Sequence, residues 1–93
     1  MNESANTISL EALKTGDREA FAELVEKTST QIYRMMFRIL GDQQDAEDVL
    51  QETYIKAFRS LPGFEGRSSI TTWLYRIAVN EALMLVRTRK PQT

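Results

Sequence analysis

The chain contains no cysteine and no histidine. The first absence removes disulfides and thiolate nucleophiles. The second removes the imidazole base, and together they remove the usual ligands of transition metals. Chemistry is left to carboxylates, hydroxyls, Tyr, Lys and Arg, and no pair of these stands in a recognisable catalytic arrangement. An enzyme, a resident metal and a cofactor are therefore not expected. No apolar run approaches the length of a bilayer span, and the N-terminus MNESANTISL lacks the basic start and apolar stretch of a secretory signal. A cytoplasmic protein without membrane insertion is expected. Proline occurs twice and glycine four times, and there is no internal repeat, low-complexity tract or strand signal.

What is present fits one globular domain over residues 1–93, with residues 1–7 expected to be flexible: 42% of the chain is apolar and 27% charged. The formal net charge of −1 conceals an uneven distribution. Asp42, Asp45, Glu47, Asp48 and Glu52 are the only charges in their stretch. From Phe64 onward, Arg67, Arg76, Arg87, Arg89 and Lys90 face only Glu65 and Glu81.

Apolar periodicity and caps predict an all-α, compact bundle of about four helices. Ser9 caps a short helix to Lys14, stopped by Gly16. Asp17 caps a longer one that ends at Gly41 and carries Phe21, Leu24, Val25, Ile32, Met35, Met36, Ile39 and Leu40 at helical spacing. The third begins near Asp42 to Asp45, where carboxylates favour the positive end of the helix dipole, and runs to about Ser60. Its apolar stripe is Ala46, Val49, Leu50, Thr53, Ala57 and Leu61, with Tyr54 and Phe58 at the edge. Pro62 and Gly63 break it and open the loop PGFEGRSS. The fourth starts around Ser69 or Thr71 and reaches Arg89. It is apolar almost all round, so it is expected to pack on more than one neighbour.

Three features carry candidate function, each with a plainer alternative. The acidic face of the third helix is either simply solvated or a docking face for a basic partner, with Gln51 and Arg59 adding hydrogen bonds. The pattern DQQDAEDVLQE is no calcium loop. Phe64, Trp73 and Tyr75, beside Arg67, Arg76 and the hydroxyls of Ser68, Ser69, Thr71 and Thr72, offer exposed rings and polar groups to unstacked bases; the plainer alternative is that Trp73 and Tyr75 simply pack the core. Arg76, Asn80 and Arg87 track one side of the fourth helix. Asn80 has the donor and acceptor needed to read a base edge, while Arg87, Arg89 and Lys90 are either a helix cap or phosphate contacts.

Taken together, DAEDVLQETYIKAFRSL followed by FEGRSSITTWLYRIAVNEAL and a basic end resembles region 2 of the extracytoplasmic-function sigma factors of bacterial RNA polymerase. The resemblance reaches back more loosely through GDREAFAELVEKTSTQIYRMMFRILGD. It implies a helical domain that binds the clamp helices of the polymerase largest subunit, with Asp45, Asp48, Gln51, Glu52 and Arg59 on the docking helix. It also implies recognition and melting of the promoter minus-ten element. Phe64, Glu65, Gly66, Arg67, Ser68 and Ser69 would form the loop that captures a flipped non-template base, and Trp73, Arg76 and Asn80 would lie beside the opened strand. An anti-sigma factor is a further implied partner. Met84 departs from the pattern, standing where the family often has Asp or another polar residue. The family also carries a C-terminal helix-turn-helix domain, and residues 91–93 fall where its inter-domain linker begins.

Overall fold

The computed structural model describes residues 9–89, so the expectations for residues 1–7, for Lys90 and for residues 91–93 lie outside the described residues. The regular structure among them is helical: α1 (Leu10–Lys14), α2 (Arg18–Leu40), α3 (Gln43–Ser60), a 3-10 turn (Leu61–Gly63) and α4 (Ile70–Thr88). The expected bundle of four helices forms, with boundaries close to those read from the caps.

Each α-helix starts at a short polar side chain that accepts an otherwise orphaned amide. Ser9 Oγ accepts from the Ala12 N–H at 3.0 Å, and Asp17 Oδ1 from Glu19 and Ala20 at 2.9 and 3.3 Å. Asp42 Oδ1 accepts from Asp45 at 2.9 Å, and Ser69 Oγ from Thr72 at 3.1 Å. Such a cap contributes about 1 kcal/mol. Between α2 and α3 stand only Gly41 and Asp42. Gly41 takes φ 69° and donates its N–H to Phe37 O at 2.7 Å. A Cβ there would meet nothing within 4 Å, so the backbone angle and not crowding calls for glycine.

Helices α2, α3 and α4 each contact the other two, while α1 packs on the 3-10 turn and the start of α2. Leu24, Ile32 and Met36 of α2 meet Ala46, Val49 and Ala57 of α3 and Leu74, Ala78 and Ala82 of α4 in one buried cluster closed by Leu13 and Leu61. The alanines are fully buried and keep the helix axes close. Two threonines sit in this core, and both return a hydroxyl proton to their own helix. Thr53 Oγ1 donates to Val49 O and Thr28 Oγ1 to Leu24 O, each at 2.7 Å. Because the Thr28 proton is committed, Tyr54 donates across the α2–α3 interface to Thr28 Oγ1 at 2.5 Å.

One expectation about burial is corrected. Tyr54, read as an edge residue of α3, is buried because that hydrogen bond satisfies its hydroxyl. Helix α4 packs on both α2 and α3, as its nearly all-round apolar sequence implies, and Leu83, Met84 and Val86 remain exposed. Its third side has no neighbour among the described residues.

Candidate nucleic-acid interface

Residues 64–69 lead from the 3-10 turn into α4. Gly66 adopts φ 80°, a left-handed step disfavoured with any Cβ. Phe64 tucks under α4, with its ring 5.1 Å from that of Trp73 at 56°. It is only 5% exposed, which corrects the expectation of an exposed Phe64: the ring supports Trp73 from beneath and offers no free stacking face. What remains open is a hollow of about 220 Å³ bordered by Gly63, Glu65, Arg67, Ser68, Trp73 and Arg76. It is smaller than the roughly 300–1,000 Å³ of drug-sized pockets and suits one compact planar group.

The loop's polar side chains divide by what already engages them. Ser69 is held as the α4 cap, and its hydroxyl also donates to Thr72 Oγ1 at 3.0 Å. Arg67 pairs with Glu65 at 3.1 Å, but both side chains are largely in water, where such a pair contributes roughly 0–1 kcal/mol and yields readily to a stronger partner. Ser68 makes one long contact of 3.3 Å to Ser69 O. Glu65, Arg67 and Ser68 are therefore the adaptable groups of the hollow.

Along α4 the exposed side presents Arg76, Asn80 and Arg87, spaced four and seven residues apart, and none of these side chains has an ion-pair or hydrogen-bond partner among the described residues. Arg89 differs. Its guanidinium donates to Asp45 Oδ2, so the residues expected as a phosphate contact and a docking residue engage each other in this structure. Asp45 lies at the N-terminus of α3, and its side chain is only 14% exposed. The pair ties the two helix ends together. Lys90 is outside the described residues.

On the outer face of α3, Asp48, Gln51 and Arg59 are exposed and Glu52 is half-buried. Asp48 accepts from Gln44 Nε2 at 3.0 Å. Asp48, Glu52, Ile55 and Arg59 follow one another at four-, three- and four-residue steps, so the exposed Ile55 sits in the middle of the polar stripe. Beside it, Phe21, Tyr54, Ile55, Phe58 and Arg59 line an apolar hollow, with Phe58 packed edge-on to Phe21 at 5.0 Å. Ile55 is absent from the sequence-based set. The signal that reveals it is an apolar side chain at a position the helical period assigns to solvent.

Two titrations are displaced, both on α3. The Tyr54 hydroxyl is pushed above the usual tyrosine range, first by burial; the Thr28 hydrogen bond opposes this, and Tyr75 adds a smaller upward push. The Lys56 ammonium is also raised, first by its hydrogen bond to Glu81 Oε2 at 2.6 Å, with burial opposing and the charges of Glu81 and Glu52 adding to it.

A second basic surface lies on α2, off its apolar stripe. Tyr75 reaches across to α2 and donates to Gln31 Oε1 at 2.6 Å. Beside that bond, Gln31, Arg34, Met35, Arg38 and Tyr75 line a hollow of about 290 Å³. Reading α2 by its apolar stripe discards Arg34 and Arg38. Their signal is two cations four apart, with no acid within a turn inside the helix.

Comparison with known proteins gives a consistent result. A family model described as Sigma-70 region 2 matches residues 24–92. The chain is similar to the extracytoplasmic-function sigma factor SigW of Bacillus subtilis, 38% identical over 82 residues, and to the RNA polymerase sigma-H factor of Pseudomonas aeruginosa, 44% identical over 84. Each match covers 88% of this chain and 44% of the relative, so the chain spans less than half the length of these relatives. Among solved structures it resembles an engineered region 2 of sigmaE, determined by NMR in complex with GTAAAA. The TM-score is 0.78 and the identity 34%, covering 99% of this chain and 100% of the other.

Proposed function

The chain belongs to the sigma-70 region 2 family, in its extracytoplasmic-function branch, and from that premise we propose that it recognises and opens a promoter minus-ten element while docked on core RNA polymerase. The observation that carries this reading is the open hollow beside Trp73, continuous with the unpartnered side chains of Arg76 and Asn80. A similar chain is bound to GTAAAA.

The mechanism needs no covalent step. Extruding a base from a duplex costs a few kcal/mol. A base held in the hollow, between Trp73 backed by Phe64 and the polar groups of Glu65, Arg67 and Ser68, regains free energy of similar size, since stacking on aromatic rings contributes roughly 1–3 kcal/mol per base. Arg76 and Arg87 hold phosphates, and Asn80 reads a base edge. Because the hollow accepts only an unpaired base, binding shifts the equilibrium from closed towards open DNA by the difference between the two affinities. Asp48, Gln51, Glu52 and Arg59 meet the clamp helices of the largest subunit. An anti-sigma factor competing for that face would account for regulation, and the site of action is the cytoplasm.

Selection from a random pool of single-stranded hexamers tests the DNA half of this reading. The winning strand should bind the chain more tightly than its own duplex, and Asn80→Ala should lose about 1–3 kcal/mol of discrimination at one base with its salt dependence nearly unchanged. Equal affinity for strand and duplex would remove melting from this domain and leave a docking module.

A further inference from the structure

A strand lying along Arg76 and Asn80 must leave α4 over one of its two flanks, and the flanks are unlike. Towards α3 the surface is a groove lined by the carboxylates of Asp48, Glu52 and Glu81 together with apolar Val49, Met84 and Leu85. The cations in and beside it are already engaged, Arg89 by Asp45 and Lys56 by Glu81. A polyanion is repelled there.

Towards α2 the surface is the hollow of Gln31, Arg34, Met35, Arg38 and Tyr75. It contains no carboxylate, and α2 carries none from Gln31 to its end at Leu40. Arg34 and Arg38 are exposed, and neither has an ion-pair partner among the described residues. Like charges four apart on a helix repel by a few tenths of a kcal/mol. Arg38, in the last turn, gains from the helix dipole; Arg34, a turn earlier, gains little, because that field fades beyond the terminal turn. A phosphate between the two relieves the repulsion, and the planar guanidinium fork matches its oxygens. The Tyr75–Gln31 bond holds α4 against α2 at this point, so the surface is continuous with that of Arg76.

We infer that Arg34 and Arg38 hold backbone phosphates of the nucleic-acid strand after it leaves the Arg76 and Asn80 face, so that the interface continues from α4 onto α2 past Tyr75. This rests on the strand-binding function proposed above. An acidic protein segment is the competing occupant of such a surface.

The experiment uses the whole chain, as wild type, as Arg34→Gln/Arg38→Gln and as Arg34→Lys/Arg38→Lys, with circular dichroism to verify that helicity is kept. The probes are the selected hexamer alone and the same hexamer flanked on both sides by six thymidines, each fluorescein-labelled and titrated at several salt concentrations. The flanked strand should bind wild type more tightly than the bare hexamer, and the Gln variant should lose that gain. Two lost phosphate contacts should shrink the logarithmic salt slope by about 1.4 and weaken binding about 25-fold at ~0.1 M salt, taking their effect to vanish near ~1 M. The Lys variant should restore most of the slope, and base discrimination should persist in all three. If the Gln variant keeps wild-type affinity and slope while wild type still prefers strand to duplex, the inference fails and the strand-binding function stands. If wild type shows no preference for the strand, both fail.

Discussion

Helix α4 is held between two neighbours of opposite electrical character. Above the shared apolar core, its polar contacts on the α3 side are ionic: Lys56 with Glu81, Arg89 with Asp45, and a rim on which Asp48 and Glu52 are unpaired. On the α2 side the polar contact is a neutral hydrogen bond, Tyr75 to Gln31, flanked by two arginines without acids. The whole chain is nearly neutral, so neither surface shows in the total charge. A helix with its side chains is about 10–12 Å across, close to the Debye length at ~0.1 M salt. The two fields are thus separated by just enough distance to act independently on a polyanion and on a basic protein surface. In the proposed function, one 93-residue chain would hold both partners at once because a single helix keeps them apart.

The largest effect comes from erasing that difference. Asp48→Arg with Glu52→Lys makes the α3 flank cationic. Binding to a fragment carrying the largest-subunit clamp helices should fall by a factor of about 100, equivalent to about 2.7 kcal/mol and within the range for charge pairs across interfaces, while affinity for single strands at low salt should rise. Asp48 is exposed and Glu52 only half-buried, so helicity should hold. A variant that keeps full clamp affinity would mean the acidic rim is only a solvated face.

A smaller effect separates the flanks by pH. Tyr54 and Lys56 keep their protons to higher pH in the folded chain than in the unfolded one. The stability they contribute is fully present below the unfolded values, near pH ~10, and is lost as pH rises through the folded ones. Urea midpoints should be level below that region and fall above it, less steeply in Tyr54→Phe. The α2 flank carries neither displaced group, so strand binding by the folded fraction should outlast the weakening of α3. A midpoint that declines already between pH 8 and 9 would point to another group.

The smallest effect concerns Arg89. If its role is to tie α4 to Asp45, Arg89→Gln should cost about 0.5–1 kcal/mol of stability, in line with a partly exposed ion pair, and leave the salt slope for single strands unchanged. A slope reduced by about 0.7 would mean that Arg89 abandons Asp45 for a phosphate.

Much of this was legible before folding. Caps at Ser9, Asp17, Asp42 and Ser69, with stops at Gly41 and Pro62, are local devices acting within three or four residues, so the helix boundaries could be read directly. The charge blocks on α3 and α4 were equally plain. Phe64 was not: whether a loop aromatic faces water or the core depends on where Trp73 stands, and that is fixed by the packing of α4. Arg34 and Arg38 escaped notice for a related reason. On α2 they lie off the apolar stripe, and they gain meaning only because Tyr75, 44 positions after its partner Gln31, brings the Arg76 side of α4 beside them.

The sequence by itself determined the four helices and their order, because periodicity and capping are short-range properties of the chain. Tertiary structure decided which charges are available. Asp45 and Arg89 are 44 positions apart and cancel, Lys56 and Glu81 are 25 apart and cancel, and Asp48, Glu52, Arg34 and Arg38 remain uncompensated by any ion pair among the described residues. Coulomb attraction follows distance in space, and only the packing of α4 between α2 and α3 sets those distances.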